Sequence, residues 1–427
     1  MYSRNRKPKG ETLAKAGVTQ TVGLDVGTTK VAVCVGAVQE GLVHIIGSAL
    51  VPNSGLRKGI IVDIEETVSA LSAALEEAER LAGVPLTSAT VSVGGAHTTI
   101  STSKGVIAVS RADGEIQASD MERVLDAARA VAIPANREVL HVIPRSYSVD
   151  GQEGIKDPTG MKGIRLEVET LLITCSSAAI KNLSRSVFQA GLEVNEMVFS
   201  PLATSHLLLT KKQKEIGVVL VDIGAGTTSM IVFEEGDIVT AEVFPVGSMH
   251  ITNDIAIGLR TSLETAEVVK TKYGHALAAK VRETEQIDLA KIDEREKHKA
   301  QRQFVAEIIE ARLNEILGMV KDALKAAGRD GMLPAGAILT GGGSQIEGLA
   351  EMAKAALMLP VQIGTPTIQL SGMVDKLDDP QYTTAAGLML WAMESTTVPT
   401  RRQGGLSIPK LGGAVDRAWD FLKQFRP

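Results

Sequence analysis

Two short stretches combine a carboxylate, glycines and threonines in a pattern suited to holding phosphate groups. The first is DVGTTK (residues 25–30) and the second is DIGAGTT (residues 222–228). Glycine lets the backbone turn tightly and bring its N–H groups to phosphate oxygens, and threonine hydroxyls add hydrogen bonds. The residues predicted to contact a phosphorylated ligand in these two loops are Asp25, Gly27, Thr28, Thr29, Lys30, Asp222, Gly224, Gly226, Thr227 and Thr228.

The two carboxylates have a different expected role, because a carboxylate and a phosphate repel each other. Asp25 and Asp222 are suited to hold a hydrated Mg²⁺ through water, since this ion keeps several waters and needs few protein ligands. Lys30 follows the first turn and could reach a phosphate as a point charge. A single loop of this kind is also compatible with an ordinary turn between strands, whereas two copies favour phosphate binding.

Two further segments could complete a ligand site. LTGGGSQIEGL places Gly341, Gly342, Gly343 and Ser344 between a strand and a helix start, where the backbone can approach a flat ring or an anion. In TAEVVKTKYG, Glu267 and Lys270 lie three residues apart on one helical face, within reach of a ribose hydroxyl and a base edge. Each segment alone is equally compatible with a structural role, as an αβ turn or an exposed ion pair.

Length and composition limit the class of protein. A chain of 427 residues predicts two or three domains, and a net charge of −5 gives no general attraction to nucleic acid, so no nucleic-acid partner is expected. Cys34 and Cys175 lie in apolar runs and are predicted to be buried thiols of a protein from a reducing cytoplasm. No apolar stretch reaches the roughly 18 residues that a spanning helix needs.

The elements that must position the loops form a repeat. VGLDVGTTKVAVCVG and VVLVDIGAGTTSMIVF each predict a strand that ends in Asp-x-Gly, a Thr-Thr turn and a second strand, at an offset of 197 residues. Repetition on this scale indicates two copies of a domain. The predicted division is a disordered basic tail (1–16), a first domain (17–90, 166–200 and 380–394), an inserted subdomain (91–165), a second domain (201–244 and 311–379) with a mainly helical excursion (245–310), a flexible linker (395–408) and an amphipathic helix (409–427).

The C-terminal helix is predicted to lie in a membrane interface. Its apolar side includes Leu411, Val415, Trp419, Leu422 and Phe425, and residues 401–427 hold six basic and two acidic groups, which favours anionic lipid. It is too short and too polar to span a bilayer. The alternative is a helix docked on the protein's own core, which the preceding Gly/Pro-rich linker and the aromatic residues disfavour.

Taken in order, DVGTTK, DIGAGTT, TAEVVK and GGGSQIEGL resemble the actin/Hsp70 ATPase superfamily over residues 18–395. Within it, DPTGMKGIRLE, RQFVAEIIEARLNEI and the terminal helix are similar to the FtsA family of bacterial division proteins. The resemblance implies an α/β, actin-like ATPase fold with two related domains around a nucleotide cleft and an inserted subdomain that replaces an actin subdomain. It implies ATP and Mg²⁺ as ligands, with Gly247 also at the nucleotide site and Arg302 and Glu307 at a site for the FtsZ C-terminal tail.

The same resemblance implies a cellular role. FtsA-type proteins tether FtsZ polymers to the cytoplasmic face of the membrane at the division site, assemble into actin-like protofilaments and recruit later divisome membrane proteins. One departure affects the chemistry: Hsp70-type relatives carry Glu or Gln before the connecting helix, where this chain has Ser200 before Pro201. Since phosphoryl transfer depends on positioning the attacking water, we expect at most slow ATP hydrolysis.

Two other functions share this fold. A small-molecule kinase would need a catalytic carboxylate facing an acceptor pocket, and the Ser200 region offers none. An actin-like pilus-assembly adaptor could share the replaced subdomain, but DPTGMKGIRLE and the C-terminal helix favour an FtsA-type protein over it.

Overall fold

The computed structural model describes residues 20–39, 42–130, 133–296 and 298–397. The predicted basic tail (1–16) and C-terminal helix (409–427), with its five apolar residues, lie outside these ranges. The predicted linker (395–408) lies mostly outside them, and its first three residues instead continue a helix that ends at Thr397. No helix in the part of the chain described here has the length and apolar character needed to cross a lipid bilayer.

Strands and helices are numbered in chain order. The strands are β1 Gln20–Val26, β2 Lys30–Gln39, β3 Leu42–Pro52, β4 Leu56–Arg57, β5 Ile60–Ile61, β6 Ser88–Val93, β7 Thr99–Ala108, β8 Arg137–Val149, β9 Gln152–Ile155, β10 Arg165–Ser176, β11 Glu193–Phe199, β12 Val218–Ile223, β13 Thr228–Glu234, β14 Asp237–Phe244, β15 Gln286–Asp288, β16 Lys299–Gln301, β17 Ala337–Thr340, β18 Val361–Ile363 and β19 Leu370–Gly372. The helices are α1 Ile64–Ala82, α2 Ala118–Arg129, α3 Ser177–Gln189, α4 Ser200–Leu208, α5 Lys211–Ile216, α6 Ser248–Leu259, α7 Leu263–Tyr273, α8 Arg302–Ala326, α9 Leu349–Leu357 and α10 Thr383–Thr397.

The first domain is built on a six-stranded sheet in the order β11-β6-β1-β2-β3-β19. The run KVAVCVGAVQ of β2 is buried almost throughout, because helices cover both faces of the sheet at its centre. On one face lies α1, which begins at the N-cap Asp63, whose side chain accepts from the Glu66 amide, and ends at Gly83 in the left-handed region (φ 72°). On the other face lies α10, which packs on β1 and β2.

The second domain repeats this arrangement in its sheet β14-β13-β12-β17-β18. Asp25 pairs with Ala32 across the first hairpin, and Asp222 pairs with Ser229 across the second, so the register is the same at the 197-residue offset. β1 and β12 each also have a parallel neighbour, β6 and β17, on their other side. The two predicted hairpins are therefore structural equivalents, and each places its Asp-x-Gly turn at the same edge of its sheet.

The inserted subdomain has its own four-stranded sheet, β7-β10-β8-β9, with α2 packed on one face. Sequence reasoning ended the insert at residue 165 and assigned β10 to the first domain, and the structure corrects this. β10 hydrogen-bonds β7 on one side and β8 on the other, and Leu166, Val168 and Leu172 are buried with α2. The alternating apolar pattern of β10 predicts a strand but carries no information about which sheet it joins.

A second correction concerns the end of the second domain, which sequence reasoning placed at residue 379. β19 pairs in parallel with β3, with Leu370 opposite Val43, so the chain has returned to the first sheet by residue 370. The two domains then meet along α4 and α10. Here Thr204 and Thr384 lie 3.2 Å apart through their hydroxyls, and Thr340 Oγ1 donates to Thr383 Oγ1 at 3.3 Å.

The excursion of the second domain contains α6, α7 and a short hairpin of β15 and β16 that leads into α8. Sequence reasoning predicted this region as mainly helical, and the hairpin is the part it missed. The long helix α8 buries one stripe of side chains, including Ile309, Leu313, Ile316 and Val320, against the domain core. Its N-terminal turns remain at the surface beside α6.

Candidate functional site

The first phosphate loop is a tight turn in which the amide of Gly27 donates to the Lys30 carbonyl at 2.8 Å. Asp25, at the end of β1, forms an ion pair with Lys30 through Oδ2. Its other oxygen, Oδ1, accepts a 2.7 Å hydrogen bond from Ser92 Oγ. Asn53 Nδ2 donates to the Gly27 carbonyl at 2.9 Å, so the loop and its carboxylate are held from three sides.

The second loop closes in the same way, with the amide of Gly224 donating to the Thr227 carbonyl at 3.0 Å. Asp222 lies at the floor of this loop, against the glycine turn after β17. A Cβ placed on Gly341, whose φ is +83°, would lie 2.2 Å from Asp222 Oδ1, so only glycine fits there. Burial raises the pKa of Asp222 to about 6, with a further increase from Asp25 and an opposing decrease from Lys30.

The two loops meet between the domains. A Cβ on Gly226 would lie 2.5 Å from Thr28 Oγ1 and 3.0 Å from the backbone of Lys58, and the amide of Gly59 donates to Thr28 Oγ1 at 3.1 Å. Both loops line one cleft of about 810 Å³, a volume suited to a nucleotide-sized ligand. The predicted residues that line it are Asp25, Gly27, Thr28, Thr29, Lys30, Asp222, Gly224, Gly226, Thr227, Glu267, Lys270, Gly341, Gly342 and Gly343.

Three predicted contact residues lie behind the cleft wall. Thr228 is buried and donates through Oγ1 to the Val246 carbonyl at 2.9 Å. Ser344 is buried and donates through Oγ to the Gly341 carbonyl at 2.8 Å. A Cβ on Gly247 would lie 2.5 Å from the Gly224 carbonyl oxygen. These residues shape the loops instead of lining the cleft, and motif matching cannot separate the two roles.

Sequence reasoning also missed several cleft residues, among them Ser92, Asn53 and Gln381. For Ser92 a signal existed. β6 is followed by Gly94-Gly95, as β17 is followed by Gly341-Gly342-Gly343, and β6 and β17 are the equivalent parallel neighbours of the two loop strands. The repeat could therefore have pointed to Ser92.

At the other end of the cleft, α7 and the glycine turn form the walls. Lys270 Nζ is buried and donates to Glu267 Oε2 at 2.6 Å and to Thr252 Oγ1 at 2.8 Å. Burial lowers the pKa of Lys270, and Glu267 opposes this decrease. Glu267 keeps about half of its side chain exposed to the cleft, at 50%. The two residues thus form the ion pair that was the structural alternative for this segment, and the predicted ligand contacts stay a prediction, with the Glu267 carboxylate accessible to ligand hydroxyls.

The donor set suits a hydrated cation. No group of three or more His, Cys, Asp or Glu side chains in the described ranges could hold a metal ion on its own. Asp25 and Asp222 face the same cleft, and the pKa of Asp222 is raised first by burial and then by the negative charge of Asp25. A divalent ion carried in with a phosphate ligand would relieve this repulsion, and the two carboxylates would hold it through water.

Ser200 lies at the start of α4 and lines the cleft. A Cβ on Gly94 would lie 2.5 Å from Ser200 Oγ, so the serine packs closely on the glycine pair after β6. A hydroxyl with an ordinary pKa is a poor base and reaches less far than a glutamate. The position that faces the cleft at the head of α4 thus lacks a carboxylate.

The predicted partner site lies on α8, away from the phosphate loops. Arg302 is the first residue of this helix and its guanidinium pairs with Glu285 at 2.7 Å. Glu307 is exposed one to two turns later. Two exposed apolar side chains lie in the same region, Ile257 of α6 (76% exposed) and Phe304 of α8 (42%), with Gly258 packed against Ile308 between them.

Comparison with known proteins gives two family matches. A family described as "Cell division protein FtsA" matches residues 219–387. One described as "SHS2 domain inserted in FTSA" matches residues 95–174, which includes nearly all of β10. The second range agrees with the corrected extent of the insert.

Relatives and solved structures are similar over most of the chain. The chain is 40% identical to the cell division protein FtsA of Pseudomonas aeruginosa (87% of this chain, 89% of the relative) and 40% identical to that of Bacillus subtilis (90% and 86%). Among solved structures, the PilM-PilN type IV pilus biogenesis complex matches with a TM-score of 0.63 at 16% identity, covering 87% of this chain and 97% of that one. MreB5 of Spiroplasma citri bound to ADP matches with a TM-score of 0.51 at 14% identity, covering 88% and 96%. These structures confirm the predicted actin-like fold.

Proposed function

The chain belongs to the FtsA family of cell division proteins, and we propose that it binds Mg²⁺ and ATP in its cleft while attaching FtsZ polymers to the cytoplasmic membrane. Nucleotide binding is supported mainly by the contact between the two equivalent phosphate loops, where Gly226 of one loop lies against Thr28 of the other. A ligand with a chain of phosphates can accept hydrogen bonds from backbone N–H groups of both loops at once. Nucleotide would thereby hold the two domains together.

Each part of the cleft has a proposed role in holding ATP. The two loops and Lys30 hold the phosphates, while Asp25 and Asp222 hold Mg²⁺ through water. The cation supplies charge neutralisation to the phosphates when it is bound. Glu267 accepts from ribose hydroxyls, and the Gly341–Gly343 turn supports the base.

We propose that hydrolysis is slow. Phosphoryl transfer to water needs a residue that orients the attacking molecule, and Ser200 at the head of α4 has neither the reach nor the basicity of glutamate. ATP then acts mainly as a ligand that favours one domain arrangement and, through it, assembly into actin-like protofilaments. This fits a scaffold better than a small-molecule kinase, which would need a carboxylate facing its acceptor.

The FtsZ C-terminal tail is proposed to bind at the N-terminal turns of α8. This surface offers an exposed aromatic ring, Phe304, beside the exposed Ile257, with Arg302 and Glu307 as charged groups at its edges. An apolar centre with a charged rim is the usual composition of a peptide site. The surface also includes Arg302 and Glu307, the residues that the family resemblance assigns to this partner.

Membrane attachment is proposed from the sequence of residues 409–427, which lie outside the described ranges. An interfacial helix with Trp419 and Phe425 among the headgroups binds anionic lipid weakly by itself, and side-by-side copies in a filament gain avidity. The protein would thus work as a peripheral protein on the cytoplasmic face of the membrane at the division site. There it would recruit later divisome proteins.

The pilus-adaptor alternative rests on fold alone. The pilus complex shares 16% identity with this chain, whereas FtsA relatives share 34–40% over most of their length. A similarity at 16% sequence identity supports a shared fold but no shared function.

The tether is tested by liposome co-sedimentation with ATP and FtsZ, using anionic vesicles. The full chain is compared with a chain that ends at Gln403 and with a full-length Trp419→Glu variant. We expect FtsZ in the pellet with the full chain and a large loss with both variants. If both variants bring down as much FtsZ as the full chain, the tether proposal is wrong.

A further inference from the structure

Arg302 connects the predicted partner surface to the nucleotide cleft. Its Nε donates to the Tyr273 carbonyl at 2.9 Å and its Nη1 donates to Glu285 Oε2 at 2.7 Å. Its Nη2 faces Glu347 Oε2 at 3.9 Å. One side chain at the start of α8 therefore spans three chain segments.

The first of these segments is a wall of the cleft. Tyr273 is the last residue of α7, and its carbonyl is one of those that a helix end leaves without a partner inside the helix. An arginine that donates to such a carbonyl fixes the helix end. The same last turns of α7 line the cleft through Lys270, Thr271 and Lys272.

The second segment adjoins this wall. Glu347 lines the cleft just after the glycine turn. Its carbonyl accepts from the Ala276 amide at 2.8 Å, and the His275 ring packs on Gly348, where a Cβ would lie 2.6 Å from the ring. The chain after α7 and the chain after the glycine turn thus form one continuous wall, and Arg302 holds it from outside.

We propose that Arg302 is a positioning residue for the nucleotide site, and that an acidic peptide bound at α8 weakens nucleotide binding by drawing its guanidinium away from this wall. The proposal rests on the proposed function, since it assumes that ATP occupies the cleft and that an FtsZ tail occupies α8. By linkage, nucleotide must then weaken peptide binding by the same factor.

Competition for Arg302 is physically reasonable because its side chain is 25% exposed at the surface where the peptide would bind. A guanidinium has several N–H donors in a fixed plane, so it cannot turn toward a new carboxylate and keep all its present bonds. The pairing with Glu347 is long, and the hydrogen bond to the Tyr273 carbonyl depends on the orientation of the guanidinium plane. Both are lost when the plane rotates.

The positioning role is tested with full-length chains by isothermal titration of Mg²⁺-ATP and Mg²⁺-ADP. Arg302→Ala is expected to raise the Kd of both nucleotides by about 5- to 30-fold, within the range of typical coupling between sites. Arg302→Lys should give an intermediate effect, because an ammonium can keep one of the two wall contacts. The matched control is Arg295→Ala, which removes an 84% exposed arginine that pairs with Asp293 in the same excursion. If Arg302→Ala binds both nucleotides as tightly as Arg295→Ala, the positioning role is wrong.

The coupling is tested with a synthetic peptide of the FtsZ C-terminal tail. We expect saturating peptide to raise the ATP Kd of the wild type. In Glu347→Gln the peptide can still bind Arg302, but the ion pair between Arg302 and Glu347 is already absent, so the ATP Kd should rise less. Bound peptide that leaves the ATP Kd unchanged, or lowers it, overturns the coupling. If no peptide binds in any nucleotide state, the FtsZ part of the proposed function fails instead, and the titrations without peptide still decide the role of Arg302.

Discussion

Gly226 of the second phosphate loop lies directly against Thr28 of the first, so that a Cβ on Gly226 would stand 2.5 Å from Thr28 Oγ1. Each loop belongs to a different domain, and both contact the same turn of the first domain. Thr28 accepts from the Gly59 amide, while Gly226 packs on the backbone of Lys58. The β4–β5 turn therefore touches both loops, and any side chain at residue 226 must push the domains apart.

Replacing Gly226 by valine should separate the loops and weaken Mg²⁺-ATP binding by at least about tenfold, equivalent to about 1.4 kcal/mol. The backbone of Lys58, 3.0 Å from the added Cβ, cannot move as easily as a flexible side chain. Titration calorimetry measures the change. The control is Gly318→Ala in α8, where a Cβ meets nothing within 4 Å, and which should add about 0.5–1 kcal/mol of stability with unchanged ATP binding. Equal affinities in the two variants would contradict the contact.

His141 should make stability depend on pH. Burial lowers its pKa to about 4 from an ordinary 6.5, and its Nε2 accepts from the Phe199 amide at 3.0 Å, which only the neutral ring can do. Between pH 6.5 and about 4, His141 binds a proton in the unfolded chain but stays neutral in the folded chain. The free energy of unfolding should therefore fall as the pH falls through this window, by roughly 2–3 kcal/mol from this group, and be independent of it above.

The measurement is urea unfolding from pH 4 to pH 8 on the wild type and His141→Gln, whose amide oxygen can accept the same bond without titrating. The variant should lose less stability than the wild type as the pH is lowered. An identical pH slope in the two proteins would show that His141 is not the group responsible.

Ser200→Glu should accelerate hydrolysis. The side chain faces the cleft from the first turn of α4, where a carboxylate could orient water. We expect phosphate release to rise by at least about tenfold, which is less than the roughly 10²- to 10⁴-fold that a well-positioned acid–base group contributes. In Ser200→Gln, whose amide can orient water without acting as a base, the rate of phosphate release should rise less. An unchanged rate in Ser200→Glu would mean that residue 200 does not limit turnover.

Phe304→Ala should weaken binding of an FtsZ tail peptide by roughly tenfold, because truncating a central aromatic group commonly costs more than 1 kcal/mol. Its stability should change little, since the ring is 42% exposed. The matched control is Met332→Ala, which truncates an exposed apolar side chain (66%) in the loop after α8. Fluorescence anisotropy of a labelled peptide measures both. If the two variants bind alike, the site lies elsewhere.

Much of the architecture could be predicted from the sequence because it is a duplication. The equivalence of Asp25 and Asp222 fixes two hairpins in one register, and the loops follow from glycine and threonine chemistry. The sheets to which β10 and β19 belong could not be predicted, because an alternating apolar pattern predicts a strand but not the strands that pair with it. The same reason explains why Asn53, which follows β3, was missed, whereas Ser92 could have been found from the repeat.

The central claim is that the cleft holds ATP as a clamp with little turnover. The most direct measurement is phosphate release from purified full-length protein saturated with Mg²⁺-ATP, with bound nucleotide counted in the same sample. We expect one ATP per chain and turnover well below about 1 s⁻¹, the low end of typical enzyme rates. Absence of bound nucleotide, or turnover above that rate, would contradict it.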